Sequence, residues 1–164
     1  MKALFIGRFQ PFHKGHLKII KDACIKYEEV IIGIGSSQYS NTSENPFTKN
    51  ERNEMINNSL NEEAISNFKI VFIPDIHNPP KWVDHVLSIV SNFDVILSNN
   101  DFIEKLFLEK GFTVIKTQLY EKERYSGNVI RNKIKNDEKW EDLVPDEVTK
   151  VIKRINGVER IKSF

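Results

Sequence analysis

One cysteine, Cys24, stands alone in 164 residues. A single thiol cannot close a disulfide within the chain, and it gives zinc no cluster of thiolates. Net charge is nearly absent: 24 Lys and Arg against 23 Asp and Glu leave +1. That balance carries no overall footprint for DNA or RNA, though it says nothing of a single cleft. Long apolar runs are missing. No stretch approaches the ~20 residues of a membrane helix, and no basic segment before an apolar run marks a leader. The expectation is a cytoplasmic protein with no membrane and no nucleic-acid partner. Familiar catalytic patterns are missing as well. There is no G-x-x-x-x-G-K-[ST] phosphate loop, no Ser-His-Asp order and no pair of carboxylates that stands out.

What is present is ordinary for a globular chain, 40% apolar and 29% charged. Short β-branched runs alternate with helical patterns. KALFIG (2–7) and EVIIGIGS (29–36) read as buried parallel strands, and FKIVFIP (68–74), DVILS (94–98) and FTVIKT (112–117) as three further strands. Leu17, Ile20, Cys24 and Tyr27 recur at helical spacing. Thr48 and Glu51 form a capping box that opens a second helix. HNPPK (77–81) reads as a turn before a helix over 82–90. Asp101 is the expected N-cap and Gly111 the stop of a helix over 101–111. Ser126 can cap another helix. A last helix is expected over 145–157, with Pro145 near its start and Gly157 at its end. No repeat, low-complexity tract or long linker divides the chain. The order predicts one α/β domain over 1–164, an open, Rossmann-like, doubly wound parallel sheet of about five strands with C-terminal helices. Ligands of such sheets bind beyond the carboxyl ends of the strands, where the opening motif and the 36–48 loop both lie.

The opening stretch, GRFQPFHKGH (7–16), is dense in chemistry. His13 and His16 fall on one helical face. They could be a pair of metal ligands, but no acidic or thiol partner sits nearby in sequence. They could equally serve an anion. Gly7 ends a strand, a helix N-terminus follows, and Gly15 lets a phosphate approach the backbone. The imidazoles can donate hydrogen bonds to phosphate oxygens while Arg8 adds a permanent charge. This set suits a phosphoryl group whose charge grows in a transition state. Ser126 at a helix start and Arg131 behind it offer a hydroxyl and a planar cationic fork. Alone, they would also suit an N-cap and a solvated arginine.

G-R-F-Q-P-F-H-K-G-H resembles the H-x-G-H motif of the nucleotidylyltransferase superfamily, and YSGNVIR (125–131) its S-x-x-x-[IV]-R motif. Nearly the whole chain resembles the archaeal-type nicotinamide mononucleotide adenylyltransferase family. The matching stretches include IIGIGSSQ (31–38), NPFTKNER (45–52), PDI (74–76), W-x-x-L-V-P (140–145) and NGVERIK (156–162). The resemblance implies transfer of AMP from ATP to nicotinamide mononucleotide (NMN), forming NAD and pyrophosphate, with Mg²⁺ held through substrate phosphates and water. It implies a homo-oligomer, a hexamer in relatives. Other adenylyltransferases of the superfamily, for pantetheine phosphate or flavin mononucleotide, and a non-catalytic nucleotide sensor are the alternatives.

Carried over by position, the resemblance gives the ATP phosphates Arg8, His13, His16 and Arg131, with Ser126 capping the helix that faces them. It extends to Gly7, Phe9 and Gly15 on the same side. For the nicotinamide nucleotide it implies Gly33, Gly35, Ser36, Ile76 and Trp82, the last stacking on the cationic ring. Trp82 also has the spacing of a core residue. Arg52 is either structural or a phosphate contact, and Lys14 meets either phosphate or water. The chain departs from the family pattern at Asn128, at Pro79 with Asn78 beside it, at Asn41, and at SNND (98–101), which includes Asn99.

Overall fold

Five apolar runs become five parallel strands. The computed structural model describes residues 1–118 and 120–164, and places β1 at Lys2–Gly7, β2 at Glu29–Gly35, β3 at Phe68–Ile73, β4 at Val95–Ser98 and β5 at Thr113–Lys116. Their order is β3-β2-β1-β4-β5. In register, Leu4 of β1 lies beside Ile31 of β2 and Ile96 of β4. Side chains alternate across the sheet, as the two-residue period of a strand requires. Ala3, Phe5, Val30, Ile32, Val95 and Leu97 enter one core. Leu4, Ile31 and Ile96 enter the other.

Helices cover both faces, the expected doubly wound α/β fold. The first core is closed by α1 (Lys14–Lys26), α2 (Lys49–Glu62), α5 (Gly127–Lys135), α6 (Asp146–Arg154) and α7 (Gly157–Lys162). The second is closed by α3 (Pro79–Ile89) and α4 (Asp101–Glu109), through Val83, Val86 and Phe107. Each fully buried side chain of this size contributes about 1.5–3 kcal/mol. Among the described residues, no helix is long and apolar enough to cross a membrane.

Three boundaries differ from the sequence expectation. First, α3 begins inside the expected turn, at Pro79, with proline in its first turn. The fixed φ of proline suits that position, where its missing N–H is no loss. Second, the cap of α4 is Asn100 rather than Asp101. The Asn100 side chain accepts hydrogen bonds from the N–H groups of Phe102 and Ile103. Third, the last helix is two helices. Asn156 turns left-handed (φ 55°, ψ 38°), a conformation asparagine tolerates, and Gly157 opens α7 instead of ending α6. A single 3₁₀ turn at Glu141–Leu143 precedes α6.

Gly157 is buried where the two helices meet. A Cβ there would stand 2.9 Å from Ile152 Cγ2, 3.0 Å from the Ile152 carbonyl oxygen and 3.1 Å from Phe47 Cε1. Gly157→Ala is therefore expected to destabilise the protein by about 1–3 kcal/mol, read from the urea unfolding midpoint.

Candidate active site

The carboxyl end of β1 has β2 on one side and β4 on the other, the switch point of the sheet. Two cavities open there. One, of about 470 Å³, is bounded by the opening motif, α5 and the stretch before it. The other, of about 540 Å³, lies over the ends of β2, β3 and β4. They share a wall of Phe5, Arg8, Asn99 and Asn100.

The first cavity gathers Arg8, Phe9, His13, Gly15, His16, Ser126 and Arg131. The two histidines are not a simple helical pair. His13 is the N-cap of α1 and His16 its third residue, and they form a reciprocal capping box. The His16 N–H donates to His13 Nδ1 at 3.3 Å, and the His13 N–H donates to His16 Nδ1 at 3.2 Å. Each Nδ1 is thus an acceptor, which leaves the ring proton on Nε2. The rings stack with centroids 3.5 Å apart. Burial pushes the His13 imidazole down to about 3. Burial, and then His13, hold His16 well below its ordinary value. At neutral pH both are uncharged hydrogen-bond donors. Phe9 and Phe12 pack against His16, Phe9 edge-on at 4.8 Å and Phe12 stacked at 5.7 Å. The space freed by Gly15 is used first by the His13 ring and by Tyr125. A Cβ on Gly15 would lie 3.0 Å from His13 Cε1 and 3.1 Å from Tyr125 Cβ.

Across the cavity, Ser126 caps α5 by accepting the Val129 N–H at 3.1 Å. Arg131 is buried, and its Nη1 donates to the Gln10 carbonyl at 2.7 Å. This ties the second motif to the first over 121 residues of chain. Gly127 makes the contact possible, since a Cβ there would stand 2.7 Å from that nitrogen and 2.9 Å from the carbonyl oxygen. Burial, then the Arg8 charge, lower the Arg131 pKa, and Glu44 partly offsets them.

Arg52 proves structural. It is fully buried and every N–H it owns meets a carbonyl. Its Nε donates to Thr48, Nη1 to Arg8 and Gly35, and Nη2 to Ser36 and Tyr39, at 2.9–3.4 Å. It has no donor left for a phosphate. Burial, with the Arg8 charge added, lowers its pKa to about 10, so it stays protonated. Beside it, Glu51 completes the expected capping box with Thr48 and receives both terminal nitrogens of Arg160 from α7, at 2.7 and 2.9 Å. Gln10 ties the same loop from the other side, exchanging two hydrogen bonds with the Phe47 backbone.

The second cavity is lined by Gly35, Ser36 and Trp82, and also by Gly7, which the sequence reading places on the ATP side. Trp82 bridges the core and the cavity. One edge packs on Phe107 at 5.8 Å, and the residue lines the cavity. Gly33 and Ile76 lie outside both walls. Gly33 instead makes room for core side chains, with Ile73 Cδ1 2.6 Å from where its Cβ would be. Ile76 is solvent-facing. Asn78, the departure from the family pattern, lines the cavity as the N-cap residue of α3, and its amide makes no cap bond. Pro79 lines it too, while Asn128 lines the first cavity. Asn99, in the shared wall, donates to the Thr117 hydroxyl. Lys14 is exposed and lies outside both cavities. Sequence reasoning missed Gln10, Gly127 and Asn100. It also missed the His-x-x-His capping box, because imidazole is not among the usual cap residues.

Two outcomes are expected. Arg52→Met strands five carbonyls and should cost about 3–5 kcal/mol of unfolding free energy. Arg52→Lys should recover little, since three donors on one nitrogen cannot reach them all. The histidines set a pH dependence. Above the unfolded value near 6.5 both states are neutral and the contribution is constant. Below it the unfolded chain takes up protons that the folded chain refuses. Stability should therefore fall with pH from 6.5 toward 3, by about 1.4 kcal/mol per pH unit per histidine. Urea unfolding at pH 7 and pH 5 reads this slope, which His13→Asn, an able cap, should make shallower.

Comparison with known proteins places this geometry. The cytidylyltransferase-like family model matches residues 4–133. Over its whole length the chain is 43% identical to the nicotinamide-nucleotide adenylyltransferase of Picrophilus torridus, covering 97% of that protein. It is 44% identical to that of Archaeoglobus fulgidus, again covering 97%. Among solved structures, 99% of the chain superposes with a TM-score of 0.82 and 25% identity on a bifunctional NMN adenylyltransferase/ADP-ribose pyrophosphatase from Francisella tularensis, crystallised with AMP and a manganese ion. The chain spans about half of that protein, 52%. Full-length identity, the cytidylyltransferase-like core and the two motifs converge: this chain belongs to the family of archaeal nicotinamide-nucleotide adenylyltransferases.

Proposed function

We propose that this protein transfers the adenylyl group of ATP to the phosphate of NMN, forming NAD and releasing pyrophosphate. The observation that carries this reading is the pair of cavities meeting at Arg8. One is built for anions and the other has an aromatic wall. The triphosphate occupies the first, held by Arg8 and Arg131 and by hydrogen bonds from the Nε2–H of His13 and His16. The nicotinamide nucleotide occupies the second. Its cationic ring stacks on Trp82, with Asn78 in the same cavity wall.

The chemistry asks little of any single side chain. An oxygen of the NMN phosphate, already anionic, attacks the α-phosphorus in line, and the bond to the β-phosphate oxygen breaks. The electron pair leaves with pyrophosphate, and no proton has to move. The protein aligns the two phosphates and meets the growing charge with fixed cations and neutral donors. Arg8, in the shared wall, lies where both phosphates converge.

Among the described residues, no group of three or more His, Cys, Asp or Glu side chains is placed to hold a metal. The first cavity also has no carboxylate in its wall. These residues fit a divalent ion only as a chelate of the substrate's phosphates, which Arg8, Arg131 and the histidines would hold. Mg²⁺ would supply charge neutralisation on the triphosphate. A cytoplasmic location and assembly into a hexamer belong to the same proposal, the latter readable by light scattering.

Incubation with ATP, Mg²⁺ and NMN should release pyrophosphate and form NAD. Release with pantetheine phosphate or flavin mononucleotide but not with NMN would reject the acceptor assignment. Nucleotide binding without release for any acceptor would make the protein a sensor. His16→Ala should lower kcat by roughly 10²–10³. Trp82→Ala should raise KM for NMN about tenfold and leave KM for ATP unchanged. Weakened ATP binding alone in Trp82→Ala would remove the stacking role.

A further inference from the structure

We infer that Lys122 is a further phosphate-binding residue of the ATP cavity, delivered by the turn Tyr120–Tyr125 ahead of α5. The inference rests on the adenylyltransferase reading and adds a residue that neither motif contains. The first ground is charge. Among the described residues the cavity wall carries three cationic side chains, Arg8, Arg131 and Lys122. The two histidines add none, being neutral donors. A triphosphate brings about four negative charges and its divalent ion offsets two. The acceptor then brings a second phosphate to the same junction. Arg131 has already given one N–H to Gln10. Lys122 supplies the third positive charge at the cavity.

The second ground is position. The turn is fastened to α1 at both ends. The Tyr120 hydroxyl donates to the Asp22 carboxylate, and the Lys18 ammonium stands 5.7 Å from the Tyr120 ring. At the far end, Tyr125 packs into the space that Gly15 leaves open. Between them, the N–H groups of Arg124 and Tyr125 both donate to the Glu121 carbonyl at 2.8 Å, and Glu121 takes a positive φ of 41°. The turn thus has a defined course. Its other cation is engaged elsewhere: Arg124 pairs with Glu121 and Asp142 and covers the Tyr125 ring at 5.2 Å. With Tyr120 and Tyr125 beside it in the wall, Lys122 is the cation the turn presents to the cavity.

Calorimetric titration with ATP in the absence of acceptor, followed by initial rates and pyrophosphate product inhibition, tests this. Lys122→Gln should weaken ATP binding and pyrophosphate inhibition about tenfold each. KM for NMN should change less than twofold. Lys122→Arg should recover most of both, and Lys14→Gln should leave all of them unchanged. Equal ATP affinity and equal pyrophosphate inhibition in wild type and Lys122→Gln would overturn the inference, as would an effect confined to NMN. A wild-type protein that binds ATP but forms no NAD would overturn the adenylyltransferase reading instead, and the ATP titration of Lys122→Gln would still decide the role of Lys122.

Discussion

A guanidinium buried among carbonyls holds the site in shape. Arg52 joins the ends of β1 and β2 to the loop that follows β2 and to the cap of α2, through five hydrogen bonds and no carboxylate. The choice of partner matters. Carbonyl dipoles satisfy the N–H groups without cancelling the charge. A carboxylate would have neutralised it and set a like charge before an incoming phosphate. The cost is desolvation, visible in a pKa drawn down to about 10. The gain is a positive field at the strand ends that no side chain motion can remove.

The same economy separates charge from hydrogen bonding in the rest of the cleft. Besides burial, the Arg8 charge lowers the pKa of both Arg52 and Arg131, so Arg8 repels each of them. In the proposed reaction a phosphate would relieve that repulsion. The histidines solve a different problem. Two imidazolium rings with centroids 3.5 Å apart would repel strongly in a buried setting. The reciprocal cap assigns both Nδ1 atoms to backbone N–H groups, and burial keeps the rings neutral. They keep one N–H each, oriented by the start of α1. Donors of this kind bind phosphate oxygen without adding to the electrostatic load.

How much of this was legible follows from what each residue answers to. Strands and most helices answer to local apolar period, so β1 through β5 and the Thr48 cap could be read directly. The two motifs answer to spacing, and their residues do gather around one cavity. Gly33 and Ile76 do not join them. Gly33 sits in a strand whose neighbours fill the space it frees, a packing fact decided by Ile6 and Ile73 on other strands. The left-handed turn at Asn156 could not be read from the helical period on either side, because one backbone angle breaks it. Arg52 and Gly127 are harder still. For the first, four of the five carbonyl partners lie 13 to 44 residues away. For the second, the meaning is only that two other groups, Arg131 and Gln10, must touch. Pairings of that kind are set by the folded chain and leave no periodic trace.

The two cavities are also held in different ways, and this bears on where specificity can change. The first cavity is bounded by caps and a buried arginine: Ser126 on Val129, His13 with His16, Arg131 on Gln10. Each replaces an unpaired backbone group, so substitution there disturbs the fold as well as the ligand. Beside the second cavity, contacts join two loops, one of which supplies Asp75 and His77 to its wall. Gln38 exchanges two hydrogen bonds with the Asp75 backbone, and Tyr39 meets His77. Exposed loop residues such as these can change with little loss of stability. The departures at Asn78 and Asn41 fall in those loops, and Pro79 opens the helix that follows one of them. In the proposed reaction, what is common to all adenylyl transfers is fixed by the scaffold, and what distinguishes one acceptor from another is left to side chains that the scaffold does not need.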